Sequence, residues 1–135
     1  REQGVAHALV NLGGDICVAG PQADDRPWRV AISDPSSPTQ ELRIVEVSQG
    51  ALASSGSYAR CIEIEGIRYG HLLNPLTGFP VKGTLAATVV ADQCIVAGSL
   101  ATIALLNEAG AARFLKDAGL PFLIISSDGD IDDRL

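Results

Sequence analysis

The segment LAATVVADQCIVAGSLATIALL, residues 85–106, decides the fold. Residues 85–91 are apolar and rich in β-branched side chains, the pattern of a strand buried on both faces. Asp92 stands where a cap for a following helix is expected. The apolar run from Cys94 to Leu106, broken only by Gly98, Ser99 and Thr102, falls short of the roughly 20 residues a membrane span needs. We expect a buried core helix reaching about Asn107. Being apolar nearly all round, it should be sandwiched between layers. Gly98 is out of place, because a helix-interior Gly costs about 1 kcal/mol relative to Ala. Either something passes close to the backbone there, or a side chain needed at that place is absent.

Outward from this unit, the pattern is mostly strand. Residues 10–18 read as strand material interrupted by Gly13-Gly14, and a polar loop follows over 20–27. Trp28, Val30 and Ile32 alternate with Arg29 and Ala31, the period of a half-buried strand. Residues 33–40, with two prolines and three serines, are expected as a surface loop, and 42–47 as a third strand. Ile62 and Ile64 alternate with Glu63 and Glu65, and Gly66 turns the chain into 67–69, a hairpin pattern. On the far side, a helix over 111–118 should end at Gly119 with Lys116 in its last turn. Residues 122–125 read as a last strand and 128–135 as a charged tail. Strands first and helices late imply an α+β layered domain with a mostly antiparallel sheet and a buried helix.

The chain has 135 residues, 47% hydrophobic and 19% charged, which fits one globular domain over 1–135 and excludes a disordered chain. With Lys plus Arg at 10 and Asp plus Glu at 16, the net charge is −6. That balance argues against a nucleic-acid or anionic-membrane surface. A small anionic ligand would need a metal ion or backbone N–H groups. Cys17, Cys61 and Cys94 lack C-x-x-C spacing and lie in apolar stretches, so we expect buried free thiols. The chain begins at Arg1 without a signal-peptide pattern, and residues 1–6 resemble the end of a helix. We therefore expect a fragment or a processed piece.

Singly, the local motifs leave two readings each. In Asn11-Leu12-Gly13-Gly14-Asp15 the glycines permit either a β-bulge or the close approach of a ligand phosphate. Ser54-Ser55-Gly56-Ser57 is either a plain loop or an anion-binding nest. In HLLNPLTGFP, residues 71–80, Asn74-Pro75 opens a turn and Thr77-Gly78 closes it. His71 before that turn is either structural or an acid–base group working near pH 7. Thr102 is expected to bond a carbonyl one turn back in its helix.

Taken in order, these segments resemble the ApbE-type FAD:protein FMN transferases. The family pattern has an N-L-G-G-D strand, a Trp-bearing strand, T-S-G-x-Y, H-x-x-D-P-x-T-G and A-D-x-x-A-T. The counterparts here are residues 11–15, Trp28, 54–58, 71–78 and 97–102. The resemblance covers residues 8–127 and only the C-terminal half of the family's domain. It implies that FAD is the substrate, that Mg²⁺ is required, and that FMN is passed to a threonine of an acceptor protein with release of AMP. Some family members instead hydrolyse FAD. By resemblance, His71 contacts the flavin nucleotide and is the base, Leu72 and Thr77 join it in binding, and Thr102 holds the metal.

Two positions depart from the pattern. Gly98 stands where the family has a metal-binding Asp, and Asn74 stands for the turn's Asp. Gly98 leaves open an alternative, a degenerate module that binds flavin or a partner protein without catalysis. An absent N-terminal half could come from another chain or an oligomer partner. Family members are often periplasmic or inner-membrane lipoproteins, which is the location the resemblance implies.

Overall fold

Ala97, Ala101 and Ala104 recur at helical spacing, so one side of the helix carries nothing larger than a methyl. In the computed structural model, which describes residues 4–135, that side is fully buried against a sheet. In chain order the elements are β1 (Ala8–Leu12), β2 (Asp15–Gly20), β3 (Trp28–Asp34), β4 (Ser37–Val47), β5 (Gly50–Gly56), β6 (Cys61–Ile64) and β7 (Ile67–Gly70). Then follow β8 (Thr84–Ala91), α1 (Cys94–Leu106), α2 (Ala111–Ala118), β9 (Phe122–Ser126) and β10 (Ile131–Asp133). A 3₁₀ turn, Glu108–Gly110, links the helices.

Six strands form one sheet in the order β1-β2-β5-β8-β9-β10, with every ladder antiparallel. Hairpins β3–β4 and β6–β7 stand apart from it as two-stranded sheets. This is the expected α+β architecture.

Side chains alternate across a strand, so each central strand feeds two cores. Ala53 of β5, Ala87 and Val89 of β8, and Phe122 and Ile124 of β9 pack with the helices. Their neighbours Leu52, Ala86, Leu123 and Ile125 pack with Val30, Ile32 and Val47 of the β3–β4 hairpin. Helices, sheet and hairpin make three layers. Leu105, Leu115 and Phe122 are fully buried on the helix side, each stabilising the fold by about 1.5–3 kcal/mol relative to an exposed side chain.

Several expectations need correction. Residues 33–40 are not a loop, since β3 and β4 are joined through Pro35-Ser36 alone. The small polar run at 54–57 is largely strand, because pairing with β8 satisfies its backbone. The charged tail contains β10, paired to β9. Gln93, not Asp92, occupies the N-cap of α1, with no side-chain hydrogen bond there. Residues 4–6 are not helical, and residues 1–3 of the expected helix end lie outside the described residues. None of the three thiols is fully buried: Cys17 is exposed, since Ile16 and Val18 take the buried face of β2, and Cys61 and Cys94 are half-buried. The helix α2 ends as expected, with Gly119 at φ 69°.

The sandwiching of α1 is met on one side only. Ile95 is 72% exposed and Ile103 39%, both turned away from the alanine stripe. Among the described residues, no helix is long and apolar enough to cross a membrane.

The last strand is tied down by charge. Lys116 Nζ of α2 lies 2.9 Å from Asp132 Oδ2, and Arg134 Nε 3.0 Å from Oδ1. The Lys116 hydrogen bond, followed by that of Arg134, holds the Asp132 carboxyl below its ordinary range. A lowered carboxyl contributes stability that is full above the unfolded value of about 3.9 and lost as the pH falls through the folded value. Asp132→Asn should therefore destabilise the chain by about 0.5–1 kcal/mol at pH 6–7. The gap from the parent, read by urea denaturation across pH, should narrow as the pH falls through and below the ordinary carboxylate value of about 3.9.

Candidate functional site

Three turns and one helix flank build the site. In the first, Leu12 pairs with Asp15, and the two residues between them close the β1–β2 hairpin. Such a turn needs positive φ at both positions, and Gly13 and Gly14 adopt 67° and 103°. The glycines are thus a hairpin turn rather than a bulge. Asn11 Oδ1 accepts the Gly14 N–H at 2.9 Å, which braces it.

At the end of β5, alternation splits the serines. Ser54 Oγ meets the buried Thr88 Oγ1 at 2.8 Å on the hairpin side, and Ser55 Oγ meets Thr102 Oγ1 of α1 at 2.9 Å on the helix side. Thr102 therefore bonds across to the sheet, not back along its own helix. A β-carbon at Gly56 would collide with the Tyr58 ring, so the glycine is what lets that ring fold back over the strand end.

His71 follows β7 and is exposed. Its N–H donates to the Arg60 carbonyl at 3.0 Å, and Nδ1 lies 3.3 Å from the same oxygen. With the proton on Nδ1 donated to that carbonyl, Nε2 keeps the lone pair. The following turn is closed by Gly78 N–H donating to the Asn74 carbonyl at 2.8 Å, with Gly78 at φ 72°. Asn74 Oδ1 accepts the Leu76 N–H at 2.9 Å, and its amide donates to Glu108 Oε1 at 3.2 Å. An aspartate at 74 would keep the first bond and turn the second into a repulsion.

A cavity of about 340 Å³ gathers these segments, and Gly13, Gly14, Ser55, Tyr58, His71 and Thr102 are among the residues lining it. Leu72 lines it too. Thr77 does not: it is exposed on the turn, its Oγ1 accepting the Phe79 N–H at 3.3 Å. A second, more open cavity of about 760 Å³ lies between β1–β2 and the flank of α1, lined by Leu12, Asp15, Cys17, Cys94, Gly98 and Ile103 among others. Ser55 and Thr102 line both. Their hydrogen bond is the wall the cavities share.

Asp15 is the residue that the sequence reading placed in a motif without a role. Burial of Ile16 and Val18 turns it to the helix side of β2. A β-carbon added at Gly98 would lie 3.7 Å from Asp15 Oδ2, at ordinary contact distance. Period-two alternation identifies the face of Asp15, but only the packing of α1 on β5 brings Gly98 to it. Burial pushes the Cys94 thiol up, and Asp15 and Cys17 add to the shift, so it stays protonated at neutral pH. Among the described residues no three His, Cys, Asp or Glu side chains converge as a metal cluster.

The profile of the ApbE family matches residues 1–124. The chain is 32% identical over 133 residues to an FAD:protein FMN transferase of Vibrio cholerae, covering 96% of this chain and 40% of that protein. A Salmonella typhimurium protein of the same name is 31% identical, with 96% of this chain and 38% of its own length covered. The chain thus spans about 40% of the length of these relatives. Among solved structures, the Thermotoga maritima ApbE protein superposes with TM-score 0.85 at 28% identity, covering 94% of this chain and 42% of that one. The flavin transferase ApbE of Vibrio cholerae gives 0.82 at 30% identity, covering 98% and 44%.

Asn74→Asp should cost about 1 kcal/mol at neutral pH by setting two carboxylates against each other. Thermal melts of the two proteins at pH 7 check this.

Proposed function

The chain belongs to the ApbE family, and from that premise we propose that it binds FAD and cleaves its pyrophosphate, passing FMN to a threonine hydroxyl of an acceptor protein or to water. The observation that carries this reading is the pair of cavities sharing Ser55 and Thr102 as a wall. An elongated dinucleotide lying across that wall would set its central phosphates over the two hydroxyls. In this reading residues 1–135 form one domain, corresponding to the C-terminal part of an ApbE-type domain.

The roles follow from position. His71 would take the proton of the attacking hydroxyl at Nε2, held in that orientation by the Arg60 carbonyl. The hydroxyl oxygen bonds to the flavin-side phosphorus as the P–O bond to the adenylate breaks, and AMP leaves. Leu72 packs beside the nucleotide. Thr77 acts through the turn, by bracing the Phe79 N–H. Mg²⁺, when bound, supplies charge neutralisation on the pyrophosphate and polarises the phosphorus. The donors present suit such an ion: Asp15, Ser55 and Thr102 offer hard oxygens, and Mg²⁺ takes one or two carboxylates with water and phosphate.

Gly98 favours a second reading, a module that binds flavin without cleaving it. FAD fluorescence separates the two, because stacked adenine quenches the flavin and cleavage to FMN brightens it. We expect a Mg²⁺-dependent rise accompanied by AMP, absent in EDTA. Binding without a rise would leave the non-catalytic module. His71→Ala should lower AMP release by about 10²-fold or more, and unchanged release would return His71 to a structural role.

A further inference from the structure

We propose that Asp15 is the carboxylate ligand of a divalent-cation site on the flank of α1, beside Gly98, Thr102 and Ser55. Four observations converge on it. Asp15 is held facing α1 because its strand neighbours Ile16 and Val18 fill the hairpin-side core. Among the described residues, no ion pair neutralises it. Gly98 presents no side chain on the helix flank opposite, and a β-carbon there would lie 3.7 and 3.8 Å from the two Asp15 oxygens and 3.8 Å from Ala53 Cβ. Finally, the Ser55 and Thr102 hydroxyls, bonded to each other at 2.9 Å, line the same cavity. Each retains a lone pair for a third partner.

A side chain projecting from position 98 would meet the Asp15 carboxylate at ordinary contact distance. Positions 15 and 98 therefore address one ion, and with glycine at 98 the carboxylate left to it is that of Asp15. The ion would be hard and oxygen-seeking, of the Mg²⁺ or Mn²⁺ kind, because the donors it would take, one carboxylate and two hydroxyls, are hard oxygens. One carboxylate and two hydroxyls make a weak site, completed by water or by phosphate oxygens of a bound nucleotide. The last point rests on the flavin-nucleotide reading; ion binding to the protein alone does not.

Mn²⁺ binding to the full chain, followed by electron paramagnetic resonance without flavin, tests the proposal on the parent protein and on Asp15→Asn, Gly98→Asp and the double variant. Asp15→Asn should weaken Mn²⁺ roughly tenfold or more, and Gly98→Asp should tighten it by a similar factor, since affinity follows ligand charge count. The double variant, again with one carboxylate, should return to near the parent value. Gly98→Asp should also melt lower in EDTA and recover in Mg²⁺, as two facing carboxylates require. Unchanged Mn²⁺ affinity in Asp15→Asn, or no Mn²⁺ bound by the parent, would overturn the proposal. The Asp15→Asn comparison decides even if Gly98→Asp fails to fold. Mn²⁺ binding without FAD cleavage would sink the transferase reading while leaving the ion site standing.

Discussion

Everything in this structure hangs on how closely α1 approaches the sheet. Ala97, Ala101 and Ala104 are completely buried and meet Ala53 and Ala87, so methyl groups face methyl groups across the interface. Interiors pack to crystal-like density, and small side chains let backbones come near. With leucines at those positions the helix would stand off, and the bond from Thr102 to Ser55 would not form. The alanine stripe is therefore a structural condition for the site as well as a piece of the core.

The second constraint is the two-residue period of β2 and β5. Each strand puts its large apolar side chains, Ile16, Val18 and Leu52, against the β3–β4 hairpin. The opposite face is left to Asp15, Cys17, Ala53 and Ser55. Small and polar groups accumulate on that side because the helix needs room there, and the same room makes a cavity. Core and site are thus the two faces of one pair of strands.

Function follows from how the turns close around that face. The Gly13-Gly14 turn, the Tyr58 ring over Gly56, and His71 on the Arg60 carbonyl each rest on a local hydrogen bond or a missing side chain. Asn74 braces its own turn and through its amide reaches Glu108, which a carboxylate could not do. Gly98 and Asp15 face each other across the helix–sheet interface, the one without a side chain and the other with a carboxylate.

Much of the architecture was legible in the sequence. Strand 28–32, the 61–70 hairpin, the central strand before the buried helix and the helix end at Gly119 all follow from local period and turn chemistry. The site segments were legible as motifs, and family membership follows from their order. What local reading missed depends on partners distant in the chain. The serine run became strand because β8 pairs with it, and the charged tail became strand because β9 and Lys116 hold it. Thr102 turned to Ser55, 47 positions away, rather than to its own helix. The nearness of Asp15 to Gly98 could not be read at all, since it arises only when the alanine stripe seats α1 on the sheet. Periodicity encodes which face a residue takes; which residue waits on the other side is decided by packing.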